Sequence, residues 1–174
     1  MRRSIVMLVL ALLTAQANAD EMSLFNRKVD DLVVLLKDNY AREYTAARRT
    51  YIDTDRVLAL AFFSIEGFTG GNNHTQYLAI FRVRNEGTPT RKEDSTFQLL
   101  SYSPIGGKAW RSVDPDKFEF ITTPAGETIR LTALTYATGD PACCPSLPGT
   151  ITYRFDTRRR AQLLELPVDA STDR

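Results

Sequence analysis

From Thr50 onward the sequence alternates short apolar runs with clusters of turn residues, and this pattern restricts the fold more than any other feature. The run Val57–Ile65 is rich in aromatic and aliphatic residues, as is the run Gln76–Val83. Between them lies the Gly/Asn-rich segment Gly67–Asn73, whose residues tolerate the backbone angles of tight loops. Two apolar runs joined in this way predict a β-hairpin.

The same pattern continues towards the C-terminus. Polar residues 84–96 are predicted to form a loop, Gly106-Gly107 a turn, and Phe118–Ile121 with Thr128–Thr135 a second hairpin. Further strands are predicted at Phe97–Ser103, Gly149–Phe155 and Ala161–Leu166. Polar and apolar residues alternate over Thr128–Leu134, which predicts one solvated face. They alternate again over Gly149–Phe155, with Ile151, Tyr153 and Phe155 on one side. Because the connections are short, the strands are expected to pair antiparallel.

The segment before these strands has a different periodicity. In residues 20–49 the apolar positions recur at steps of three and four, which predicts a helix with one buried face. Those positions are Phe25, Val29, Leu32, Val33, Leu36 and Tyr40. Beyond Asn39 the pattern is weaker, and Tyr40–Arg49 either continues the helix or leads into a strand. The fold class predicted is α+β, with an N-terminal helix packed on a twisted, mostly antiparallel sheet or small open barrel of about seven strands.

The first 19 residues have the features of a secretory signal. Arg2 and Arg3 precede the uncharged apolar run Ile5–Leu13, and Ala17-Asn18-Ala19 matches an A-x-A cleavage site. The run is too short to span a bilayer. We therefore expect cleavage after Ala19, a periplasmic or secreted protein without a stable membrane anchor, a single domain over residues 20–168, and a disordered tail over residues 169–174.

Charge and length narrow the class of protein further. After removal of the first 19 residues, 155 residues remain, with 20 Lys and Arg against 21 Asp and Glu. This balance argues against a nucleic-acid binder and against a polybasic membrane binder. A chain of this length buries enough surface to fold without covalent cross-links.

Both cysteines of the chain lie in one octapeptide, Gly139-Asp140-Pro141-Ala142-Cys143-Cys144-Pro145-Ser146. The two prolines restrict the backbone, which predicts a stiff turn. An intramolecular disulfide can form only between Cys143 and Cys144, across adjacent residues. Three other states stay open for the two thiols: burial as small apolar groups, intermolecular bridging, and binding of a soft metal ion.

The octapeptide, followed by Thr152-Tyr153-Arg154, resembles an Asp-Pro-x-Cys-Cys-Pro-Ser…Tyr-Arg signature. We associate this signature with uncharacterised exported bacterial proteins, including mycobacterial-type lipoproteins of the LppP/LprE kind. Gly106–Val113 and Gln76–Phe81 look like further parts of a related domain, so the resemblance covers about residues 50–156. It implies an exported, non-cytoplasmic protein, and it supplies no activity and no catalytic residues.

Two loops are candidates for a binding surface. The first contains Gly70, Gly71, Asn72, Asn73 and His74, the single histidine of the chain. The second contains Lys108, Trp110 and Arg111 after the Gly106-Gly107 turn. An exposed Trp beside Arg is typical of the residues that dominate binding energy at protein interfaces, although a Trp on a strand equally serves as a core anchor.

Acidic residues provide weaker candidates for chemistry. Asp53-Thr54-Asp55 faintly resembles a calcium loop but lacks its glycine and third acid, so a capped turn is the simpler interpretation. Glu66 could act with Asp114 or Asp116 as a pair of glycosidase carboxylates, provided that the fold brings them a few ångströms apart. The sequence shows no residue set that predicts a metal ion or a cofactor.

Taken together, these features favour an exported, non-enzymatic interaction or binding domain, such as an inhibitor, an immunity-type protein or an envelope accessory factor. Its partner is expected to be a protein of the cell envelope. One alternative is a redox- or metal-responsive protein that uses Cys143 and Cys144. A second alternative is a hydrolase of envelope polymers that uses Glu66 or Asp114 together with another acidic residue.

Overall fold

The computed structural model of the chain describes residues 2–53, 55–67, 73–85, 95–123, 126–155 and 164–166. These residues form one long helix, a single turn of 3₁₀ helix and nine strands. In chain order they are α1 (Arg2–Leu36), β1 (Arg42–Glu43), the 3₁₀ turn (Thr45–Ala47), β2 (Arg49–Asp53), β3 (Leu58–Glu66), β4 (His74–Asn85), β5 (Ser95–Gly107), β6 (Arg111–Thr123), β7 (Gly126–Thr135), β8 (Leu147–Phe155) and β9 (Leu164–Leu166).

All strand pairs are antiparallel, and consecutive strands are neighbours from β3 to β9. Both β1 and β2 pair with β3, on the side opposite β4. Among the described residues no ladder joins the two ends of this sheet, so the sheet is open. The predicted α+β class, a helix on an antiparallel sheet, is confirmed.

The strands β3 and β4 are buried on both faces, because each face packs against a different layer. One face of β3 presents Leu58, Leu60 and Phe62 to the apolar faces of β7 and β8. The other face presents Ala59, Ala61, Phe63 and Ile65 to α1. Such a strand reads as a continuous apolar run rather than an alternating one. The core therefore has three layers: α1, the sheet half β1–β5, and the sheet half β6–β9.

Helix α1 lies on the first sheet half through five of the six positions that the periodicity predicts, which are Phe25, Val29, Leu32, Val33 and Leu36. The sixth, Tyr40, follows the end of the helix and is 67% exposed. Phe25 and Val29 are fully buried, and the Phe25 ring lies 5.2 Å from the Phe81 ring and 4.8 Å from the Phe97 ring, measured between centroids. The small side chains of Ala59, Ala61 and Ala79 lie in the same cluster, which lets the helix approach the sheet closely.

Strand β6 joins the two sheet halves by crossing the first one. It pairs with β5 at Gly107 and Arg111 alone among the described residues. Farther along, the amide of Gln76 on β4 donates to the carbonyl of Val113 at 3.0 Å and accepts from the Val113 N–H at 2.8 Å. Beyond Val113, the Tyr51 hydroxyl of β2 lies 3.1 Å from the Pro115 carbonyl oxygen. Strand β6 thus passes from β5 across β4 to β2.

The predicted boundaries need two corrections. The helix ends at Leu36 rather than at Arg49, and β1, the 3₁₀ turn and the start of β2 follow, so the strand alternative for Tyr40–Arg49 is the better one. The physical cause is the Asp38 carboxylate, which accepts the N–H groups of Tyr40 and Ala41 at 2.8 and 2.7 Å and turns the chain.

The second correction concerns the turn predicted at Gly106-Gly107. These residues end β5, and the reversal occurs over residues 107–110. Strand β6 therefore begins at Arg111, seven residues before the predicted Phe118. An irregularity between Val113 and Phe118 breaks the alternation of side chains, which hid the first part of the strand from pattern analysis.

Alternation identifies the buried faces of β7 and β8 correctly. Ile129, Leu131 and Ala133 are buried while Arg130 and Thr132 are exposed, which gives β7 the predicted solvated face. On β8 the predicted trio Ile151, Tyr153 and Phe155 is buried. The predicted loop over residues 84–96 is too long at both ends, because β4 extends to Asn85 and β5 begins at Ser95. Residues 86–94, residues 68–72 of the predicted loop Gly67–Asn73, and the tail 169–174 lie outside the described residues.

Helix α1 runs from Arg2 through Ala19, the expected cleavage position, to Leu36 without a break. Its described core side chains begin at Met22, so the packing against the sheet is made by residues that follow Ala19. Within the described residues, no helix combines the length and the apolar character required for a membrane span.

The loop between β2 and β3 holds a β-branched residue in an unfavourable backbone conformation. Val57 has a φ of 55°, a region that costs a β-branched side chain about 1–3 kcal/mol. Its carbonyl accepts the Val83 N–H at 2.9 Å, which ties the loop to β4. Because 47% of Val57 is exposed, packing of its side chain offsets little of this conformational cost.

Replacement of Val57 by Asn is therefore expected to stabilise the protein, because Asn adopts positive φ more readily than Val. The free energy of unfolding in urea should rise by about 1 kcal/mol in Val57→Asn. The matched control is Val34→Asn on the exposed side of α1, where the two residues have similar helix propensities and stability should stay nearly constant. A Val57→Asn variant less stable than the parent protein would contradict this account.

Candidate functional site

The two cysteines form a vicinal disulfide on the surface. Cys143 and Cys144 are joined, their Cα atoms lie 3.8 Å apart, and both residues are exposed. The chain has no free cysteine. Of the four states that the sequence leaves open, the structure therefore shows the vicinal disulfide, and the prediction of two buried thiols is wrong.

Asp140 holds the segment that carries the disulfide. Its carboxylate accepts the N–H of Ala137 at 2.8 Å and the N–H of Ser146 at 2.9 Å, and the Ser146 hydroxyl lies 2.9 Å away. These hydrogen bonds lower the pKa of Asp140, because each favours the ionised carboxylate; the bond from the Ala137 N–H has the largest effect, and those from Ser146 have smaller effects. Within this loop the Cys144 N–H donates to the Pro141 carbonyl at 2.9 Å. The predicted stiff turn is thus closed by one side chain.

Tyr136 ties this loop to the turn between β5 and β6. Its hydroxyl donates to the Ala142 carbonyl at 2.5 Å and accepts the Ala109 N–H at 3.0 Å. The same Ala109 N–H also approaches the Ala142 carbonyl at 3.3 Å. The disulfide loop and the β5–β6 turn therefore form one connected unit.

A third segment joins them at the start of β4. The Lys108 N–H donates to the His74 carbonyl at 3.2 Å. Gly107 makes this approach feasible, since a Cβ there would lie 2.6 Å from the same carbonyl oxygen, and its φ is +155°. We call the region formed by Asn73–His74, Gly107–Trp110 and Tyr136–Ser146 the disulfide end. The structure thus brings together segments that the sequence singled out separately.

Trp110 is the large aromatic side chain that the disulfide end presents to solvent. The residue is 44% exposed, so the core-anchor interpretation is wrong. Its ring centroid lies 4.1 Å from the guanidinium carbon of Arg111, a cation–π contact that orients the indole. The preceding Ala109 has a φ of 59°, an unfavourable conformation for a residue other than glycine. Lys108 beside it is exposed.

Arg111 differs from the expectation of an exposed contact residue. It is 6% exposed, and its guanidinium points into the sheet. It donates to the Ile105 carbonyl at 2.6 Å, to the Tyr153 hydroxyl at 2.8 Å and to both carboxylate oxygens of Glu165 at 2.5 and 2.6 Å. Arg111 therefore supports Trp110 from below and belongs to a buried polar network.

This network shifts the titration of its members. The hydrogen bonds from Arg111 lower the pKa of Glu165, and burial raises the pKa of the Tyr153 phenol. The sequence pattern places Tyr153 on one side of its strand but indicates neither its polar partners nor a role for Glu165. One available clue was Tyr153 itself, because a phenol on a buried face needs a polar partner.

The remaining binding candidates divide into two groups. Asn73 is exposed and His74 is half-buried at the disulfide end. Gly70, Gly71 and Asn72 lie outside the described residues.

The acidic candidates lie on different elements and have different partners. Asp53 accepts the Arg56 N–H at 3.0 Å, which is the capped turn expected for Asp53–Asp55, although Thr54 itself is not described. Glu66 ends β3 opposite His74, whereas Asp114 lies on β6 and pairs with Lys117 at 3.1 Å. In the described part of the chain, no three His, Cys, Asp or Glu residues are grouped so that they could hold a metal ion.

Two open cavities lie away from the disulfide end. A groove of about 410 Å³ between β2 and β6 has walls of Tyr51, Phe118 and Phe120. A polar hollow of about 420 Å³ between α1 and the β1–β2 segment is lined by Asp30, Glu43 and Arg48 among others. Neither is lined by Glu66 or Asp114.

Comparison of the chain with protein-family models, with curated proteins and with solved structures finds no match. The resemblance to exported lipoprotein-like proteins therefore stays a prediction from the Cys-Cys-Pro-Ser motif. What the geometry itself defines is an α+β domain with an open antiparallel sheet and a cross-linked surface at one end.

Removal of the Asp140 carboxylate is expected to loosen the disulfide loop. Folding lowers the pKa of Asp140 below the value of about 3.9 that it has in the unfolded chain. The stabilisation by the ionised carboxylate is therefore complete above about pH 3.9 and is lost as the pH falls through the lower pKa of the folded state. In NMR titrations, the Ala137 and Ser146 amide protons should report an apparent pKa below 3.9 in the parent protein and no such step in Asp140→Ala. The control Asp31→Ala, on α1, should retain the step; its loss there would contradict the assignment.

Loss of Arg111 is expected to destabilise the fold. Arg111→Ala leaves buried polar partners unsatisfied and should lower the free energy of unfolding by about 3 kcal/mol. Glu165→Gln should cost about 1 kcal/mol, because Glu165 is partly exposed and water screens its charge. Urea denaturation of both variants and of the double variant checks the coupling. Fully additive effects would show that the two side chains do not act together.

Proposed function

We propose that this protein is an exported, non-enzymatic interaction domain that binds a protein of the cell envelope through its disulfide end. The observation that carries the proposal is the exposed Trp110, whose ring contacts the buried Arg111 and whose turn is hydrogen-bonded to the cross-linked loop through Ala109. Trp is enriched among the side chains that dominate the energy of protein interfaces.

The rigidity of this surface supports the proposal. The Asp140 bonds, the Tyr136 bridge and the disulfide hold the three segments before any partner arrives. A surface ordered in advance loses little conformational entropy on binding, so more of the contact energy appears as affinity. Lys108 adds an exposed positive charge beside the indole, which suits an acidic rim on the partner.

Export is part of the proposal. The N-terminal segment has the charge, apolar run and cleavage site of a signal, and a disulfide persists best in an oxidising compartment. The described core contacts of α1 follow Ala19, so cleavage there leaves them in place. The intact mass of the protein recovered from the envelope tests this step, since cleavage removes 19 residues.

A second candidate function is a redox-responsive surface, favoured by the exposure of both Cys143 and Cys144. A dithiol would reduce the disulfide by thiol–disulfide exchange and would itself be oxidised to a disulfide, so two electrons and two protons pass to Cys143 and Cys144. Binding of the partner that stays the same after reduction, with both thiols alkylated, would exclude this role.

Substitution of Trp110 by Ala is expected to weaken the complex at least tenfold, as for a side chain that dominates an interface. The partner is captured from an envelope fraction by the parent protein, identified, and titrated against purified variants. The matched control is Tyr102→Ala on β5, since Tyr102 is 46% exposed and lies outside the disulfide end. Equal loss of affinity in the two variants, or no loss in Trp110→Ala, would refute the proposed surface.

A further inference from the structure

A second site is independent of the disulfide end. We call the cavity between β2 and β6 the aromatic groove. It has a volume of about 410 Å³, within the range of small-ligand sites, and is open at one side. Its walls are the rings of Tyr51, Phe118 and Phe120, and Asp53 and Asp55 also line it.

The rings of the groove are fixed by one another. The centroids of Tyr51 and Phe118 lie 4.9 Å apart at an interplanar angle of 65°, and those of Phe118 and Phe120 lie 5.9 Å apart at 89°. These edge-to-face contacts are favourable for aromatic pairs. The Tyr51 hydroxyl also donates to Asp116 at 2.9 Å. Burial, and then this hydrogen bond, raise the pKa of Tyr51 to about 12, so its ring is neutral at physiological pH.

The chain already places a guanidinium at this site. The guanidinium carbon of Arg56 lies 4.8 Å from the centroid of Phe120, and its Nη1 lies 2.7 Å from an Asp53 oxygen. A cation between an aromatic face and a carboxylate is held by cation–π attraction and by a charge-assisted hydrogen bond. The groove therefore has the chemistry that holds a guanidinium, and Arg56 shows the geometry.

The charge around the groove leaves room for a further cation. Among the described residues nearby, the ion pairs are Arg56 with Asp53, Arg49 with Asp116, and Lys117 with Asp114. Asp55 is exposed and has no ionic partner in the described part of the chain. Its carboxylate is thus available at the groove to balance one positive charge.

We propose that the aromatic groove binds the guanidinium of an arginine-type ligand. The ligand's planar head stacks on the aromatic wall, and Asp55 pairs with its charge. The aromatic groove shares no residue with the disulfide end. The proposed guanidinium binding can therefore be tested independently of the proposed function.

The test compares arginine amide with citrulline amide, which has a neutral urea group of nearly the same shape. Both are titrated into the full chain by calorimetry and followed by NMR signals of the Tyr51, Phe118 and Phe120 rings. Arginine amide should bind saturably and at least about fivefold more tightly than citrulline amide. A third ligand, the blocked tripeptide Gly-Arg-Gly, distinguishes the source: tighter binding than arginine amide indicates an arginine within a polypeptide, and weaker binding indicates a free small molecule.

Variants assign the contacts. Asp55→Asn should weaken arginine amide about three- to fivefold, and its exposed position leaves folding intact. Arg56→Gln should strengthen binding, because it frees the face of Phe120 and one carboxylate. The control Asp31→Asn makes the same change of charge on α1 and should bind as the parent protein does.

Three results would overturn the proposal. These are equal affinity for arginine amide and citrulline amide, unchanged affinity in Asp55→Asn together with unchanged affinity in Arg56→Gln, and absence of saturable binding up to about 10 mM ligand. Thermal unfolding of each variant, run in parallel, ensures that a loss of binding is measured on folded protein.

Discussion

The burial of β3 and β4 on both faces is the constraint on which the rest of the structure depends. A strand pair in the middle of a three-layer core needs a cover on each side, and the chain supplies α1 for one side and β6–β8 for the other. The two covers use alternate residues of the same strands, so neither can shift register without exposing an apolar face. The open edges of the sheet and the exposed loops are arranged around this centre.

Much of this arrangement follows from local patterns in the sequence. Periodicity predicted the buried face of α1, and alternation predicted the inward residues of β7 and β8. Each of these patterns arises when one face of a single element packs against the core. The short strands β1 and β2 were less evident, since Asp38 ends the helix through a side-chain bond rather than through a change in apolar spacing. The early part of β6 was hidden for a related reason: its irregularity at residues 114–117 breaks the period on which recognition depends.

The candidate site shows a different limit of sequence reasoning. The Cys-Cys turn was recognisable because it depends on local features. Two prolines restrict the backbone on either side of the cysteines, and the chain has no other cysteine with which they could pair. The bonds that make it a platform join residues distant in sequence: Tyr136 bridges Ala109 and Ala142, and Arg111 reaches Glu165. Contacts of this kind depend on sheet register and on the crossing of β6, so a single sequence does not predict them. Arg111 and its neighbour Trp110 illustrate the result, since the arginine is buried and the tryptophan is exposed.

The single pairing between β5 and β6 has a consequence for how the chain is divided. The described residues before Gly107 build the helix and one sheet half, and those after Arg111 build the other half. The hydrophobic cluster between the two sheet halves is thus an interface between two contiguous fragments, comparable to that of a heterodimer whose subunits have been fused, whereas the cluster beneath α1 lies within the first fragment. The fusion point is the four-residue turn that carries Trp110, and the Gln76 amide fastens the two fragments beside it. Trp110, the residue proposed to contact a partner, therefore lies in the turn that joins the two fragments.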